Sequence, residues 1–336
     1  MKRLTIAEAT ELAIAKMRRH GVDQAEAEIA APIYLEGELA QRPSHGLRHL
    51  RNNLEQFRLG ADRRTPLQIL NETPVSALVD GGFHHAYFVN HTAMELVIKK
   101  AGISGLAMVA VRKSGGSGIL SYYTRTIAEA GFIGLVLANA PATVVPTGGL
   151  EPLISTNPIS VGIPRRKGGP ILLDMATSAG TFNQILQAQV SGKPLAEGVA
   201  LGPDGQITTD PHAALNEHGR PRLLPLAGYK GFGLGLVIEL LTAAGSGGSL
   251  GRQEGYVHSP DFFHALFIAY RPDLFVSLDE FNDRVDQFVS DLYTIPAVPG
   301  SGGPRLPGDE TNRKRAETLE RGYIDLEDAT YEFLLN

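Results

Sequence analysis

The middle of this chain is written in short apolar runs, each closed by glycine, proline or a polar turn: LAMVAVR (106–112), FIGLVLAN (132–139), ISVGIP (159–164), ILLDM (171–175) and HALFIAY (264–270). Runs this short, bounded this way, read as buried strands. SALVDGG (76–82) reads as a further strand ending in a turn, and helix-length stretches follow at 91–101 and 119–130. Residues 231–245 make an apolar, glycine-containing helix. SGGSG (114–118) and PAVPGSGGPRLPGDE (296–310) are loops by composition.

The ends of the chain read differently. Up to about residue 60 the pattern is helical. Thr5 with Glu8, and Asp23 with Glu26, have the spacing at which a capping side chain and a glutamate satisfy each other's exposed amides. A third helix is expected from Gly46 to Phe57, and two acidic helices close the chain. The fold class is α/β (α+β), with helical regions from both termini around a mostly β middle. No G-x-G-x-x-G lies between a strand and a helix with an acid about 20 residues on, so a Rossmann site is not supported. The 336 residues exceed one domain at about 150 residues apiece, so two lobes are expected. The boundaries fall at residues 1–75 plus 305–336 for a helical terminal lobe, and 76–304 for an α/β lobe.

Composition excludes several function classes. Net charge is −5 with Lys and Arg scattered, whereas a surface that neutralises phosphates needs a basic excess, so no nucleic-acid partner is expected. There is no cysteine, hence no disulfide, thiolate nucleophile or cysteine-ligated metal. Glu8 and Glu11 interrupt the place where a signal peptide would need an apolar core. No apolar run reaches the roughly 18–20 residues that span a bilayer. A cytoplasmic protein without a membrane partner is expected.

Several residues can carry chemistry. Pro43-Ser44-His45-Gly46 falls between the second and third helices. A loop histidine titrating near neutrality is the usual proton donor or acceptor when a carbonyl and an alcohol interconvert. A histidine hydrogen-bonded near a helix start explains the same residue, and Ser44 either caps the third helix or binds substrate. His49 stands one turn on, but without a third ligand or a H-E-x-x-H pattern no metal site is expected. Asp174 ends a strand, where a carboxylate anchors a ribose hydroxyl, orients a catalytic group or caps the next helix.

In Gly228-Tyr229-Lys230-Gly231-Phe232-Gly233 the glycines let a ligand approach the backbone, and the helix start favours an anion. Lys230 adds a charge for a carboxylate or pyrophosphate. Gly231 stands where a Walker A loop needs Ser or Thr, and close helix packing would call for the same glycines. The Gly115–Gly118 loop could wrap phosphates, and Pro307-Gly308-Asp309-Glu310 could be a loop leading into a helix start.

In their order and spacing these segments resemble the malate/lactate dehydrogenase type-2 family, nearly end to end. The resemblance runs through Ser44-His45-Gly46, Gly115 to Tyr123, Ala130 to Gly134, Val145 to Gly149 and Thr156-Asn157-Pro158. It continues through Asp174 to Ser178, Gly192-Lys193-Pro194, Thr208 to Pro211, Tyr229-Lys230-Gly231 and Pro307-Gly308-Asp309. Around 114–123 the wording is similar to ureidoglycolate dehydrogenases. The resemblance implies a non-Rossmann NAD(P)-binding sheet domain within the 76–304 lobe, and a homodimer with active sites shared between subunits. It implies hydride transfer, with NAD or NADP, at C2 of a small 2-oxo or 2-hydroxy carboxylate of the malate, lactate or ureidoglycolate type. A branch of the family reduces cyclic imino acids such as pyrroline- and piperideine-2-carboxylate. Carried onto this sequence, the catalytic residue is His45. Ser44, Arg48, His49 and Gly116 fall at substrate positions. Ser121, Asn139, Asp174, Met175, Ala176, Lys230, Gly308, Asp309 and Glu310 fall at cofactor positions.

Three departures matter. The family carries a histidine with acid/base duty where Gly116 stands, an arginine where His49 stands, and a serine or similar residue near Asn139-Ala140. Reducing a ketone requires a proton at the developing alkoxide, a step typically worth about 10²–10⁴-fold. His45 can supply it. A protonated cyclic imine already carries the charge that accepts hydride, so Gly116 also fits an imine reductase, or a relative that binds nucleotide without turnover.

Overall fold

Helix caps written in the sequence set the terminal segments. The chain opens on β1 (Lys2–Thr5) and α1 (Ile6–Arg19). Between them the Thr5 hydroxyl accepts the Glu8 N–H at 3.1 Å, while the Glu8 carboxylate accepts the Thr5 N–H at 2.7 Å. Asp23 caps α2 (Gln24–Leu39) through the Ala25 N–H at 2.9 Å. The expected return bond from Glu26 does not form, because its carboxylate faces His84 Nδ1 at 2.6 Å and the His85 N–H at 3.2 Å. The third helix, α3 (Leu50–Leu59), starts later than expected, after two short 3-10 turns at Pro43–His45 and Leu47–His49.

Next come β2 (Gln68–Leu70), β3 (Ser76–Asp80), α4 (Ala86–Ser104), β4 (Leu106–Arg112), α5 (Leu120–Glu129), β5 (Ile133–Ala138), β6 (Ile159–Ile163) and β7 (Ile171–Met175). α6 (Phe182–Ser191) precedes a two-residue hairpin pair, β8 (Ala200–Leu201) and β9 (Ile207–Thr208), and then α7 (Tyr229–Glu239). The chain finishes with β10 (Ala265–Tyr270), α8 (Leu278–Thr294), α9 (Asp309–Arg321), β11 (Tyr323–Leu326) and α10 (Asp328–Leu335). This computed structural model describes residues 1–251 and 260–336, Ser44 and Pro260 by their backbone only.

Seven strands form one sheet in the order β2-β3-β4-β10-β5-β6-β7. Only β3 and β4 run parallel, joined by α4, and every other pairing is antiparallel. β10 arrives late in the chain and inserts between β4 and β5. A doubly wound nucleotide fold has parallel neighbours throughout its centre, so this is the non-Rossmann α/β sheet the resemblance implies.

Alternation decides the faces. Along β4, Ala107, Val109 and Val111 are buried while Leu106 and Met108 point the other way and are exposed. The buried set joins Val79, Val136, Phe267, Met94, Val97, Tyr123 and Ile127 under α4 and α5. On the opposite face Ile238 of α7 covers Leu137 and Leu266. A separate cluster around Val144, Ile154, Ile185, Ala200 and Leu223 organises the 142–226 region. The two ends of the chain meet, β1 pairing antiparallel with β11 from Lys2↔Leu326 to Thr5↔Tyr323.

Candidate active site

Polar side chains collect along one edge of the sheet. The register sets Asp80 opposite Arg112, Val111 opposite Ala265, Ala265 opposite Ala138, Leu137 opposite Ile159, and Ile159 opposite Met175. The last residues of β3, β4, β5 and β7 and the first of β10 and β6 therefore share that edge. Asp80, Arg112, His264, Asn139, Asn157 and Asp174 lie on it or within two residues of it. Strand ends of this kind, with loops above them, are where open α/β sheets hold ligands.

At the β7 end of this edge, the Asp174 carboxylate lies within electrostatic reach of His45. Desolvation lowers the His45 pKa below its ordinary value, the Asp174 carboxylate opposes this, and Arg42 adds to the lowering. The imidazole keeps an outer side open to solvent and is mostly neutral at pH 7. Asp174 accepts the Ser121 N–H at 3.0 Å and lies 4.0 Å from Arg42 Nη1. Arg42 in turn donates to Thr311 Oγ1 at 3.3 Å. Two segments far from Asp174 in the chain, the 42–45 turn and Ser121, thus converge on its carboxylate, with Thr311 behind Arg42. Ser44 belongs to the same turn by its backbone, and its side chain lies outside the described residues.

Arg48 and His49 leave the turn on another side. They line a cavity of about 350 Å³ with Arg51, Asn52, Asn183, Gln187 and Glu327. Burial pushes His49 down to about 4, with His45 adding to the shift, so His49 is neutral across the physiological range.

The loop between β4 and α5 carries Gly116. Its N–H donates to Gln56 Oε1 at 3.0 Å. A Cβ built there would sit 3.5 Å from the Phe263 ring, ordinary contact rather than a clash. An aromatic edge therefore faces position 116.

Lys230 and the 308–310 turn flank β7, the first past its end near Thr177 and the second against its start at Leu172. Lys230 lies exposed in the first turn of α7. The following Gly231 packs so closely that a Cβ would lie 2.2 Å from Leu226 O and 2.7 Å from Thr177 O. That glycine is required by packing, and the packing brings Lys230 beside the segment holding Asp174, Met175 and Ala176. Gly308 takes φ +93 and lies against β7, where a Cβ would be 2.9 Å from Leu172 Cβ, while Pro307 O accepts the Leu172 N–H at 3.0 Å. Asp309 accepts from the Tyr293 hydroxyl at 2.6 Å and the Leu306 N–H at 2.8 Å. Glu310 pairs with Arg313 and Lys314 on its own helix.

Asn139 sits in a network that the sequence reading missed. Its Oδ1 accepts from the His264 N–H at 2.9 Å and lies 3.0 Å from His264 Nδ1, while its Nδ2 donates to Glu239 Oε1 at 3.2 Å. Asn157 Nδ2 donates to Glu239 Oε2 at 2.9 Å. All four are buried. Burial raises the Glu239 pKa and drives His264 down to about 4. A lone glutamate inside the apolar 231–245 stretch was the one signal that pointed here.

A cavity of about 630 Å³ opens beside the start of α7, lined by residues 145–150, 198, 224–225 and 227–228 among others. No lining side chain titrates, so it offers shape without proton chemistry. Among the described residues no three His, Asp or Glu side chains come together to hold a metal, and no helix is long and apolar enough to cross a membrane.

A family model described as malate/L-lactate dehydrogenase matches residues 4–335. The chain belongs to that family. This malate/L-lactate dehydrogenase family member is 30% identical to ureidoglycolate dehydrogenase (NAD(+)) of Escherichia coli K12 over 328 residues, 96% of this chain and 91% of the relative. It is 31% identical over 328 residues to (2R)-3-sulfolactate dehydrogenase (NADP(+)) of Chromohalobacter salexigens, 94% of each chain. The solved structure of delta1-piperideine-2-carboxylate reductase from Pseudomonas syringae pvar. tomato superposes with TM-score 0.87 at 28% identity, covering 99% of both chains. The family is one of dehydrogenases, and this chain is an oxidoreductase.

Proposed function

We propose that this family member is an NAD(P)-dependent dehydrogenase acting at C2 of a small 2-oxo or 2-hydroxy carboxylate, with His45 as the acid/base. The observation that carries the reading is the convergence of the His45 turn on Asp174 at the sheet edge: Asp174 accepts the Ser121 N–H, lies 4.0 Å from Arg42 of that turn, and its charge acts on His45. A dinucleotide suits this donor set: Asp174 is a carboxylate with a 15% exposed side chain for a ribose hydroxyl, and Lys230 is an exposed cation at a helix start for pyrophosphate. A nicotinamide held there would supply or remove the hydride. His45, neutral at rest, takes the proton from a 2-hydroxyl as the alcohol is oxidised, and returns it in the reverse direction. The Asp174 charge favours the imidazolium formed in that step.

Gly116 with Phe263 supports a second reading. Among the described residues the side chains nearest a Gly116 Cβ are Phe263 and Gln56, neither ionisable, and a protonated cyclic imine brings its own proton, so pyrroline- or piperideine-2-carboxylate is the alternative substrate. A homodimer with shared active sites belongs to the same proposal. Its support is α8, where Leu278, Phe281, Val285, Phe288 and Leu292 form a helical stripe and none is buried.

The test is a panel of 2-oxo and cyclic 2-imino acids with NADH and NADPH. Consumption of one cofactor with at least one carboxylate is expected. Cofactor binding seen by nicotinamide fluorescence, without consumption across the panel, would remove the catalytic reading.

A further inference from the structure

The turn carrying His45 is seated on α2 by close backbone contact. Gly37 of α2 lies so near that a Cβ there would be 2.5 Å from Gly46 Cα and 2.7 Å from the His45 carbonyl carbon. One residue on, Glu38 points its carboxylate at the turn. Its Oε1 accepts the Leu47 N–H at 2.7 Å, and a Cβ on Gly46 would be 2.1 Å from that same oxygen. Glu38 is 9% exposed. Behind it opens a cavity of about 280 Å³, bounded by Pro43 and Arg48 of the turn and by the terminal segments. The proton traffic of a carboxyl group can pass through such an opening.

We propose that Glu38 is the positioning residue of His45: its carboxylate holds the His45-Gly46-Leu47 turn through the Leu47 N–H, and protonation of that carboxylate slackens the hold. The inference rests on the reading of His45 as the acid/base.

The charged surroundings set where Glu38 titrates. Burial pushes its carboxyl up to about 7, the Leu47 N–H opposes this, and the Glu327 carboxylate adds to the rise. The other charged groups on the cavity wall are Arg48 from the turn, Arg321 and Asp325 near β11, and the amino terminus of Met1. Asp325 is paired with Arg3, the Met1 amine with Asp328, and Arg321 donates to Tyr323 O at 2.8 Å. Above about pH 7 Glu38 is ionised and the bond to Leu47 is charge-assisted, hence short and strong. Below it the acceptor is neutral and the turn is held less firmly. Small displacements of a reacting group are costly, about 10²-fold for 1 Å.

Two measurements on the full chain test this. In wild type, the Leu47 amide resonance should move with pH with a midpoint about 7, and in Glu38→Gln, which keeps an acceptor but no titrating proton, that movement should vanish. A Leu47 resonance that ignores pH in wild type, or titrates alike in both proteins, overturns the proposal. In turnover, Glu38→Ala should lose at least ~10-fold in kcat, with cofactor affinity unchanged, and Glu38→Gln should recover most of that loss. Full turnover in Glu38→Ala overturns it as well. If His45→Asn were fully active, the acid/base reading would fall, while the Leu47 titration would still decide whether Glu38 holds the turn.

Discussion

Asp174 accepts the backbone N–H of Ser121 at 3.0 Å, so the end of β7 is tied to the start of α5 by one carboxylate oxygen. The same carboxylate raises the proton affinity of His45 against desolvation. Asp174→Asn keeps the size and removes the charge. His45 then loses its only named upward pull, its pKa falls further, and the acid limb of kcat/KM for hydroxy-acid oxidation moves to lower pH. A limb that stays in place or moves up would separate His45 from Asp174.

Gly116→His should fold, because the first side-chain atom has 3.5 Å of clearance to Phe263 and the backbone is not left-handed there. The new imidazole places a proton donor on the side that now has an aromatic edge. The ratio of kcat/KM for pyrroline-2-carboxylate to that for a 2-oxo acid should fall in the variant, since it reports differential transition-state binding. An unchanged or rising ratio would mean that position 116 does not choose between imine and ketone.

Glu38 also makes a stability prediction whose sign follows from its raised pKa. From its ordinary value of 4.5 up to about 7 the folded chain holds a proton that the unfolded chain has released, so stability is lost as pH rises through that window. Glu38→Gln removes the loss. Its advantage over wild type should be absent near pH 4 and grow to about 1–3 kcal/mol by pH 8, read as the gap between thermal midpoints. A gap that is constant with pH would contradict the burial of a titrating carboxyl.

Asn139 joins His264 to Glu239. Asn139→Ala leaves a buried carboxyl and a buried imidazole each short of a partner, which costs about 1–3 kcal/mol per group. Chemical denaturation should show a loss of about 2–6 kcal/mol for the two groups together, and a neutral result would mean that water replaces the amide without penalty.

Strand positions were legible because each run alternates or is apolar throughout, and the Thr5–Glu8 cap was legible because its geometry is local. The insertion of β10 between β4 and β5 was not, since HALFIAY carries no mark of its neighbours. α6 had a readable signal, the Thr181–Gln184 box and the left-handed Gly192 at its end, that was passed over. Within the site, His45 and Asp174 could each be singled out by residue type, yet their approach depends on turns at 43–49 that a helical pattern hid. Glu38 was invisible because an acid in a helix reads as a solvated face, and here it faces inward to a backbone N–H; Glu239, facing inward to two amides, was marked only by its isolation in an apolar stretch.

The central claim is that His45 moves the proton while other side chains, Asp174 and Lys230, hold the cofactor. The direct measurement is steady-state turnover of His45→Asn with the best carboxylate of the panel, alongside titration of the same protein with NADH and NADPH. Turnover should fall at least ~100-fold, within the range for losing a general acid/base, with cofactor affinity unchanged. Near-normal turnover in that variant would contradict it.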